Sequence, residues 1–208
     1  MNSPTLKKGK EIDLPSHVLD LTLGPDKKLY ASCLDGGVYE VSTAFKIISD
    51  SYKEIARHDN FASGINWSAS QNTLISAGYG GDLKWIDPKE KKETRSVKAH
   101  NFWSWQSRIS PDGKLVATTT GQYLCGGYEY EPAPETEPSV KVFDVATGEL
   151  RHSFPHIPPV QSVAFSNNGK LLAAGNLMGE VILWDLEQDG KEIARIKTPD
   201  FTGWGIIK

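Results

Sequence analysis

Residues 166–185 read SNNGKLLAAGNLMGEVILWD, and this stretch decides the fold. Its Asn-Gly pair is a tight-turn signal that follows the apolar residues Val163 and Phe165. A strand of small residues comes after the turn, and a further apolar strand ends on Trp184-Asp185. Because a turn between short apolar runs is typical of a β-hairpin, the stretch predicts consecutive antiparallel strands.

The same unit recurs along the chain. Comparable turns occur at 24–29 (GPDKKL) and 110–115 (SPDGKL). The closing pair of a bulky residue and Asp recurs at 86–87 and 143–144, with Val41-Ser42 as a degenerate first copy. The second residues of the four pairs lie at 42, 87, 144 and 185, separated by 45, 57 and 41 residues.

The longest separation contains an insertion. Leu115 to Phe143 spans 29 residues, whereas Leu171 to Trp184 spans 14, and without the 15 extra residues the step is 42. A period of about 40 to 45 residues with four short strands per unit is the signature of a propeller blade. No apolar period of 3.6 is sustained, so helices are expected to be nearly absent.

The repeats resemble those of the WD-repeat β-propellers. The resemblance rests on the turn at 110–113, on Trp184-Asp185, and on the three histidines that each lie nine residues before an inner-strand residue. It covers residues 9–208 and implies a scaffold fold, which by itself implies no particular function. The third repeat is similar to repeats in large multidomain bacterial chains, where a propeller accompanies a c-type cytochrome. The sequence has no Cys-x-x-Cys-His, so no haem site is carried over.

The predicted fold class is all-β, a propeller segment of about four four-stranded blades plus the first strand of a fifth. The expected layout is a tail at 1–8, an outer strand of the closing blade at 9–16, blades at 17–57, 58–99, 100–155 and 156–200, and the start of a fifth blade at 201–208. Two sequence similarities support the strands assigned to the two ends of the chain: residues 9–12 match 190–193, and residues 201–204 resemble 102–105. A seven-bladed ring needs roughly 290 residues, so a fragment of a longer chain is expected. Its open blade edges would favour self-association.

The histidines suggest either a metal site or a structural role. Three imidazoles at equivalent blade positions could ring a metal, although adjacent blades are too far apart for bonds of about 2 Å to one ion. In the family that the sequence resembles, this histidine bonds an Asp in the turn between the second and third strands. Only the first blade has that Asp, as Asp35, and it has Leu14 in place of the histidine. Gly80, Glu137 and Met178 occupy the turn position later, so a complete pair is expected in no blade.

Composition excludes several classes of protein. Lys plus Arg is 23 and Asp plus Glu is 26, so the net charge of −3 argues against nucleic-acid binding. No apolar run approaches the roughly 18 residues of a membrane span, and no signal peptide follows the N-terminus. A cytoplasmic location is expected, or a periplasmic one if the chain belongs to a longer precursor. Two cysteines without metal spacing predict neither a disulfide framework nor a zinc site.

No motif predicts catalysis. Gly-x-Ser-x-Gly, Ser-x-x-Lys and His-Glu-x-x-His are absent, and residues 78–81 (GYGG) precede a strand rather than a phosphate-binding helix. The expectation is therefore a chain with no catalytic residue, no metal and no cofactor.

The insertion at 121–138 is the strongest candidate for a binding region. It has three tyrosines, four glutamates and no Lys or Arg, so its charge is −4 and the other 190 residues sum to +1. A solvated acidic loop is the simple alternative, but binding surfaces are enriched in tyrosine and disordered loops are depleted in it. Phe61, Phe102, Trp103 and Phe201 lie in loops expected on the same rim. The predicted binding residues are Tyr123, Tyr128, Glu129, Tyr130, Glu131, Glu135, Phe102 and Trp103.

The predicted function is a non-catalytic scaffold that presents a binding surface on one propeller rim. Its partner would be a protein or peptide, basic or polar, or another domain of the same chain. One alternative is part of a propeller in a larger enzyme or cytochrome-linked redox protein whose active site lies outside this segment. A second alternative is a self-associating fragment.

Overall fold

Four antiparallel sheets make up the described part of the protein. The structure is a computed structural model that describes residues 11–42, 51–125, 130–132 and 135–197. These residues form four four-stranded sheets and one two-stranded hairpin. The repeat period therefore predicted the all-β fold and the four blades correctly. Residues 201–208, predicted to begin a fifth blade, lie outside the described residues.

Each sheet takes its strands in chain order from the inner to the outer edge. Blade 1 contains β1 (Val18–Leu23), β2 (Leu29–Cys33), β3 (Gly37–Val41) and β4 (Tyr52–Arg57). Blade 2 contains β5 (Ala62–Ser68), β6 (Thr73–Gly78), β7 (Asp82–Asp87) and β8 (Lys92–Lys98).

The later blades follow the same order. Blade 3 contains β9 (Ser104–Ile109), β10 (Leu115–Thr120), β13 (Val140–Asp144) and β14 (Leu150–Phe154). The hairpin of β11 (Tyr123–Cys125) and β12 (Tyr130–Pro132) interrupts it. Blade 4 contains β15 (Val160–Phe165), β16 (Leu171–Asn176), β17 (Glu180–Asp185) and β18 (Lys191–Lys197).

The turn that identified the repeat has one structure in blades 3 and 4. The Ser110 hydroxyl donates to Asp112 at 2.6 Å and accepts the Leu115 N–H at 2.9 Å. The Ser166 hydroxyl donates to Asn168 at 2.6 Å, and it accepts the backbone N–H five residues on at 3.0 Å. These side chains fix the hairpin between the first and second strands, which explains why the motif recurs in blades 3 and 4.

Apolar clusters lie between successive blades. Each cluster combines second- and third-strand residues of one blade with residues of the next. Trp184 belongs to the cluster between blades 3 and 4, where it is 3% exposed and stacks on Phe154 at a centroid distance of 4.7 Å. This confirms the prediction that its indole packs between blades near the end of the third strand.

The outward face of blade 1 is partly covered by the segment before β1. Ile12 and Leu14 pack against a cluster that includes Cys33 and Tyr39. Residues 11–17 are not part of a strand, and residues 9 and 10 lie outside the described residues. The outer strand of a closing blade at 9–16 stays a prediction.

Exposed apolar side chains lie at both ends of the row of blades. Leu21 and Leu23 of β1 are 53% and 61% exposed, and Ile196 of β18 is 62% exposed. Self-association through these ends stays a prediction. No helix in the part of the chain that the structure describes is long and apolar enough to cross a membrane.

Replacing Trp184 with Ala should lower the free energy of unfolding by about 3 to 5 kcal/mol, because the change removes a buried indole from a blade interface. Trp103→Ala is the matched control, since Trp103 is 37% exposed. It should cost only about 1 kcal/mol, the scale of lost ring contacts. Denaturant titration of both variants measures the difference, and equal losses would contradict this packing.

Candidate functional site

Two kinds of loop lie together on one rim of the blades. The first kind enters an inner strand, and the second joins the second and third strands of a blade. The Tyr79 N–H donates to the Phe61 carbonyl at 2.6 Å, and the Ser104 N–H donates to the Tyr79 carbonyl at 3.2 Å. In blade 4, the Leu177 N–H donates to the Pro159 carbonyl at 3.0 Å. These bonds confirm that the two kinds of loop share a rim.

A glycine carbonyl joins each of the first two blades to the next. The Gly36 carbonyl accepts the His58 N–H at 2.9 Å, and the Gly81 carbonyl accepts the His100 N–H at 2.9 Å. Both glycines have positive φ, 85° and 91°. A Cβ on either would clash with the carbonyl oxygen of that histidine. Only glycine therefore fits both the turn and the junction.

The insertion changes the junction between blades 3 and 4. Here the Glu135 carboxylate accepts the His156 N–H at 3.1 Å. The same oxygen accepts the Ser139 N–H at 3.0 Å and its hydroxyl at 3.2 Å. A side-chain carboxylate thus takes the place of the glycine carbonyl, which gives Glu135 a supporting role in the rim.

His58 forms a complete pair with a carboxylate, so the expectation that no blade has one is wrong. Its Nδ1 lies 2.5 Å from Asp82 Oδ2, and its Nε2 lies 2.9 Å from Ser76 Oγ. The carboxylate comes two residues after Gly80, the predicted position. Gly80 lies in the turn and Asp82 is the first residue of β7, and from that position its carboxylate still reaches the imidazole. Burial alone would raise the pKa of Asp82, but the hydrogen bond and charge of His58 lower it.

The other two histidines approach glutamates at longer distances. His100 Nδ1 lies 3.5 Å from Glu137 Oε2, and His156 Nδ1 lies 3.8 Å from Glu180 Oε2. Glu180, like Asp82, lies two residues beyond the predicted turn position. Burial lowers the pKa of both imidazoles despite these carboxylates. Within the described ranges, no group of three or more His, Cys, Asp or Glu residues is placed to hold a metal ion.

Glu137 fastens the end of the insertion to the start of blade 3. Its carboxylate accepts the Asn101 N–H at 2.6 Å and the Lys141 ammonium at 2.6 Å. Burial alone would raise its pKa, but the contacts with His100, Lys141 and Asn101 hold that pKa at about 2. Glu137 is therefore ionised and engaged within the protein at neutral pH.

Five aromatic side chains form a continuous cluster on this rim, which we call the aromatic row. Phe61 contacts Tyr79 at a centroid distance of 5.3 Å, Tyr79 stacks on Trp103 at 4.9 Å, and Trp103 stacks on Phe102 at 4.7 Å. Trp105 meets Tyr79 and Trp103 edge-on, at 5.6 and 5.9 Å. The row thus crosses from blade 2 to blade 3.

The aromatic row is accessible to solvent. Phe61 is 40% exposed and Trp103 is 37% exposed, whereas Tyr79, Phe102 and Trp105 are half-buried. None of the five belongs to the apolar clusters between the blades in the described part of the chain. The row is therefore additional to the packing that holds the blades together.

The insertion begins beside the aromatic row. The Trp105 indole N–H donates to the Gly121 carbonyl at 2.7 Å, and Gly121 packs closely against Pro158 and Pro159. From there β11 and β12 form a hairpin in which Leu124 pairs with Glu131. The insertion, predicted as a loop between the second and third strands of blade 3, thus contains regular strand pairing.

The structure places some predicted site residues together and leaves others untested. Phe102 and Trp103 are in the aromatic row. The backbone of Tyr123, Tyr130 and Glu131 is in the hairpin, whereas Tyr128 and Glu129, like Phe201, lie outside the described residues. Sequence reasoning missed Tyr79 and Trp105. The signal for Tyr79 was its place in a Gly-rich turn on the same rim as Phe61 and Phe102.

A cleft with a volume of about 820 Å³ lies among the inner strands, apart from the aromatic row. Its charged lining residue, Arg108, is already paired with Asp20 at 3.1 Å. Of the predicted binding residues whose side chains the structure describes, Phe102, Trp103 and Glu135, none lines this cleft. The rim therefore remains the candidate site.

The sheets define the fold class as a segment of a β-propeller. One chain in the crystal structure of the Mitotic Checkpoint Complex is a WD40 propeller, and it matches this chain with a TM-score of 0.70 at 16% sequence identity. The match covers 91% of this chain and 53% of that one.

Sequence comparison supports a WD-repeat propeller. The family "WD domain, G-beta repeat" matches residues 148–185, from β14 to the end of β17. Eukaryotic translation initiation factor 3 subunit I of Dictyostelium discoideum is 28% identical over 88% of this chain and 55% of its own length. Meiotic recombination protein rec14 of Schizosaccharomyces pombe is 26% identical over 57% of this chain and 49% of its own. The chain thus spans about half the length of these relatives. Both are eukaryotic, so the resemblance to bacterial multidomain chains gains no support.

The buried histidines should make stability depend on pH. Burial lowers the pKa of His100 and His156, whereas in the unfolded chain histidine titrates at about 6.5. Below that pH the unfolded state binds protons that the folded state resists, so the free energy of unfolding should fall from pH 7 to pH 5.

Denaturant titration of His100→Gln at several pH values measures this effect, and the slope of stability against pH should be shallower than in the natural chain. His17→Gln, at an exposed position, is the control and should keep the natural slope. Identical slopes for all three proteins would contradict the role given to the buried imidazole.

Proposed function

We propose that this protein is a non-catalytic interaction scaffold that binds a protein or peptide segment on the rim carrying the aromatic row. The observation that carries the proposal is the exposure of Phe61 and Trp103 in a cluster that the blade cores do not use. Rigid blades hold such a surface in place, so binding does not require the loss of conformational entropy that ordering a flexible loop would cost.

The composition of the aromatic row supports protein binding. Tyrosine, tryptophan and phenylalanine are enriched at protein interfaces and supply large contact areas with few rotatable bonds. Tyr79 stacks on Trp103 and Trp105 meets it edge-on, and these two contacts fix the orientation of the exposed indole. A pre-organised aromatic anchor of this kind is the usual centre of an interface.

The insertion hairpin forms the second part of the proposed surface. Tyr123, Tyr128 and Tyr130 would extend the aromatic contact area, and Glu129 and Glu131 would attract a basic segment. Glu135 would act through its hydrogen bond to His156, which sets where the hairpin leaves the rim.

Protein partners also agree with the names of the relatives. One is a subunit of a translation initiation factor, and the structural neighbour is part of a checkpoint complex. Neither name favours the alternative of an enzyme or cytochrome-linked redox protein. The binding partner would be another protein, or another domain of the same chain.

The proposal predicts that Phe61→Ser combined with Trp103→Ser strongly reduces partner capture while the protein stays folded. In a quantitative pull-down from eukaryotic cell extract, specific partners should fall by about tenfold or more, as for hot-spot residues. Leu150→Ser is the control, since Leu150 is 50% exposed at the start of β14, away from this rim.

A second variant for the same pull-down replaces residues 124–131 with two glycines and keeps Glu135. This change should weaken the capture of the same partners, because it removes the hairpin without touching the bond to His156. Retention of every partner by the Phe61/Trp103 double variant would contradict the proposed site.

A further inference from the structure

We propose that Asn168 is a deamidation site, and that the turn of blade 4 protects it as long as the hairpin between β15 and β16 stays closed. Asn168-Gly169 is the one Asn-Gly pair in the sequence. Both residues lie in that turn, where Asn168 is exposed to solvent. The inference is independent of the proposed function, because this turn lies at the other end of the strands from the rim that carries the aromatic row.

Deamidation joins two groups that the Asn-Gly pair holds next to each other. The backbone nitrogen of Gly169 loses its proton and attacks the side-chain carbonyl carbon of Asn168. The bond from that carbon to the amide nitrogen breaks, and the leaving group takes up a proton to become ammonia. Water then opens the resulting succinimide ring at either of its two carbonyl carbons, which yields aspartate or isoaspartate. Glycine favours the attack because it has no Cβ to hinder its nitrogen.

The closed turn holds both reacting groups in other contacts. The Gly169 N–H donates to the Ser166 carbonyl at 2.8 Å. The Asn168 side-chain oxygen accepts the Ser166 hydroxyl at 2.6 Å and the Lys170 N–H at 3.1 Å. Because the attack must break these bonds, it requires an open hairpin, and its rate falls with the fraction of molecules in which the hairpin is open.

The hairpin is anchored in the core of the protein. Directly beyond the turn, Phe165 of β15 pairs with Leu172 of β16. Leu172 is fully buried in the cluster between blades 3 and 4, together with Trp184. Opening the turn therefore disturbs this cluster, which keeps the open population small.

The aspartate product fits the same turn. Blade 3 has Asp112 at the equivalent position, where its carboxylate accepts the Ser110 hydroxyl at 2.6 Å and the Lys114 N–H at 3.1 Å. The hydrogen bond from Ser110 lowers the pKa of Asp112, so the turn accepts an ionised carboxylate. Conversion of Asn168 to aspartate therefore turns the blade 4 hairpin into a copy of the blade 3 hairpin.

The isoaspartate product does not fit. In isoaspartate the main chain runs through the side chain, which adds a carbon atom to the backbone before Gly169. The added atom displaces the Gly169 N–H from the Ser166 carbonyl and shifts the start of β16. Since Leu172 follows closely and is buried, the shift reaches the core, and this product should destabilise blade 4.

The first test measures deamidation of the whole chain in mildly alkaline buffer, folded and in guanidinium chloride, beside a synthetic peptide of residues 163–173. Protease digestion with mass spectrometry follows the conversion at Asn168. The folded chain should react at least about tenfold more slowly than the denatured chain or the peptide, because it waits for the hairpin to open. Equal rates in the folded and denatured chains would overturn the inference, as would a peptide that reacts as slowly as the folded chain.

A matched pair of variants tests whether the turn itself gives the protection. Ser166→Ala should speed the conversion in the folded chain about fivefold, since it removes a hydrogen bond that holds Asn168 in the closed turn. Ser110→Ala removes the equivalent hydroxyl from blade 3 and should leave the rate at Asn168 unchanged. Equal acceleration by both variants would mean that the rate follows unfolding of the whole chain, and the protective role of the turn would be wrong.

The two products are compared by their stability. Asn168→Asp should keep the midpoint of guanidinium denaturation, because the blade 3 turn already contains Asp112. Chains converted in denaturant are refolded and separated by chromatography, and the isoaspartate form should denature at a lower guanidinium concentration than the aspartate form. A lower midpoint for Asn168→Asp, or equal midpoints for the two forms, would contradict the account of the products.

Discussion

The hydrogen bond from a histidine N–H to the carbonyl of a turn glycine is the contact on which the rim depends. At Gly36 and Gly81, the turn between two strands of one blade holds the start of the next blade. The histidine that donates this bond is buried, and the loop after it turns outward. That loop carries Phe61 in blade 2 and Phe102 and Trp103 in blade 3, so the aromatic row follows from the repeated junction.

The third junction shows what the rim can tolerate. The insertion removes the glycine turn, yet Glu135 supplies an oxygen to the same backbone group of His156. Glu137 ties the same segment to Asn101 at the start of blade 3. Among the side chains that the structure describes, Glu135 and Glu137 of this acidic segment therefore have structural partners, and they hold the C-terminal side of the insertion in place. Function can vary at such a loop while the blades stay unchanged.

The fold could be predicted because it follows from local sequence patterns. The parts of the site that depend on contacts between residues distant in sequence could not be predicted. The turn around Asp112 and the burial of Trp184 follow from short motifs, so the blades and their packing could be predicted. Asp82 was missed because its carboxylate lies two residues beyond the expected turn position, at the start of β7, which changes the motif but keeps the contact with His58. Tyr79 and Trp105 join the site through ring contacts that the sequence pattern does not show. Nothing in the sequence indicated that the Glu135 carboxylate would accept a backbone N–H.

The most direct test of this account compares Gly81→Ala with Gly80→Ala. At Gly81 the positive φ and the nearby His100 carbonyl both oppose a side chain, so the free energy of unfolding should fall by at least about 2 kcal/mol. The NMR signal of the Trp103 indole should shift as the junction loosens. At Gly80 an added Cβ would meet Asp82 Oδ1 at an ordinary 3.5 Å, so stability should change by less than about 1 kcal/mol. Equal effects of the two substitutions, with the Trp103 signal unmoved, would contradict the claim that the glycine junction holds the rim.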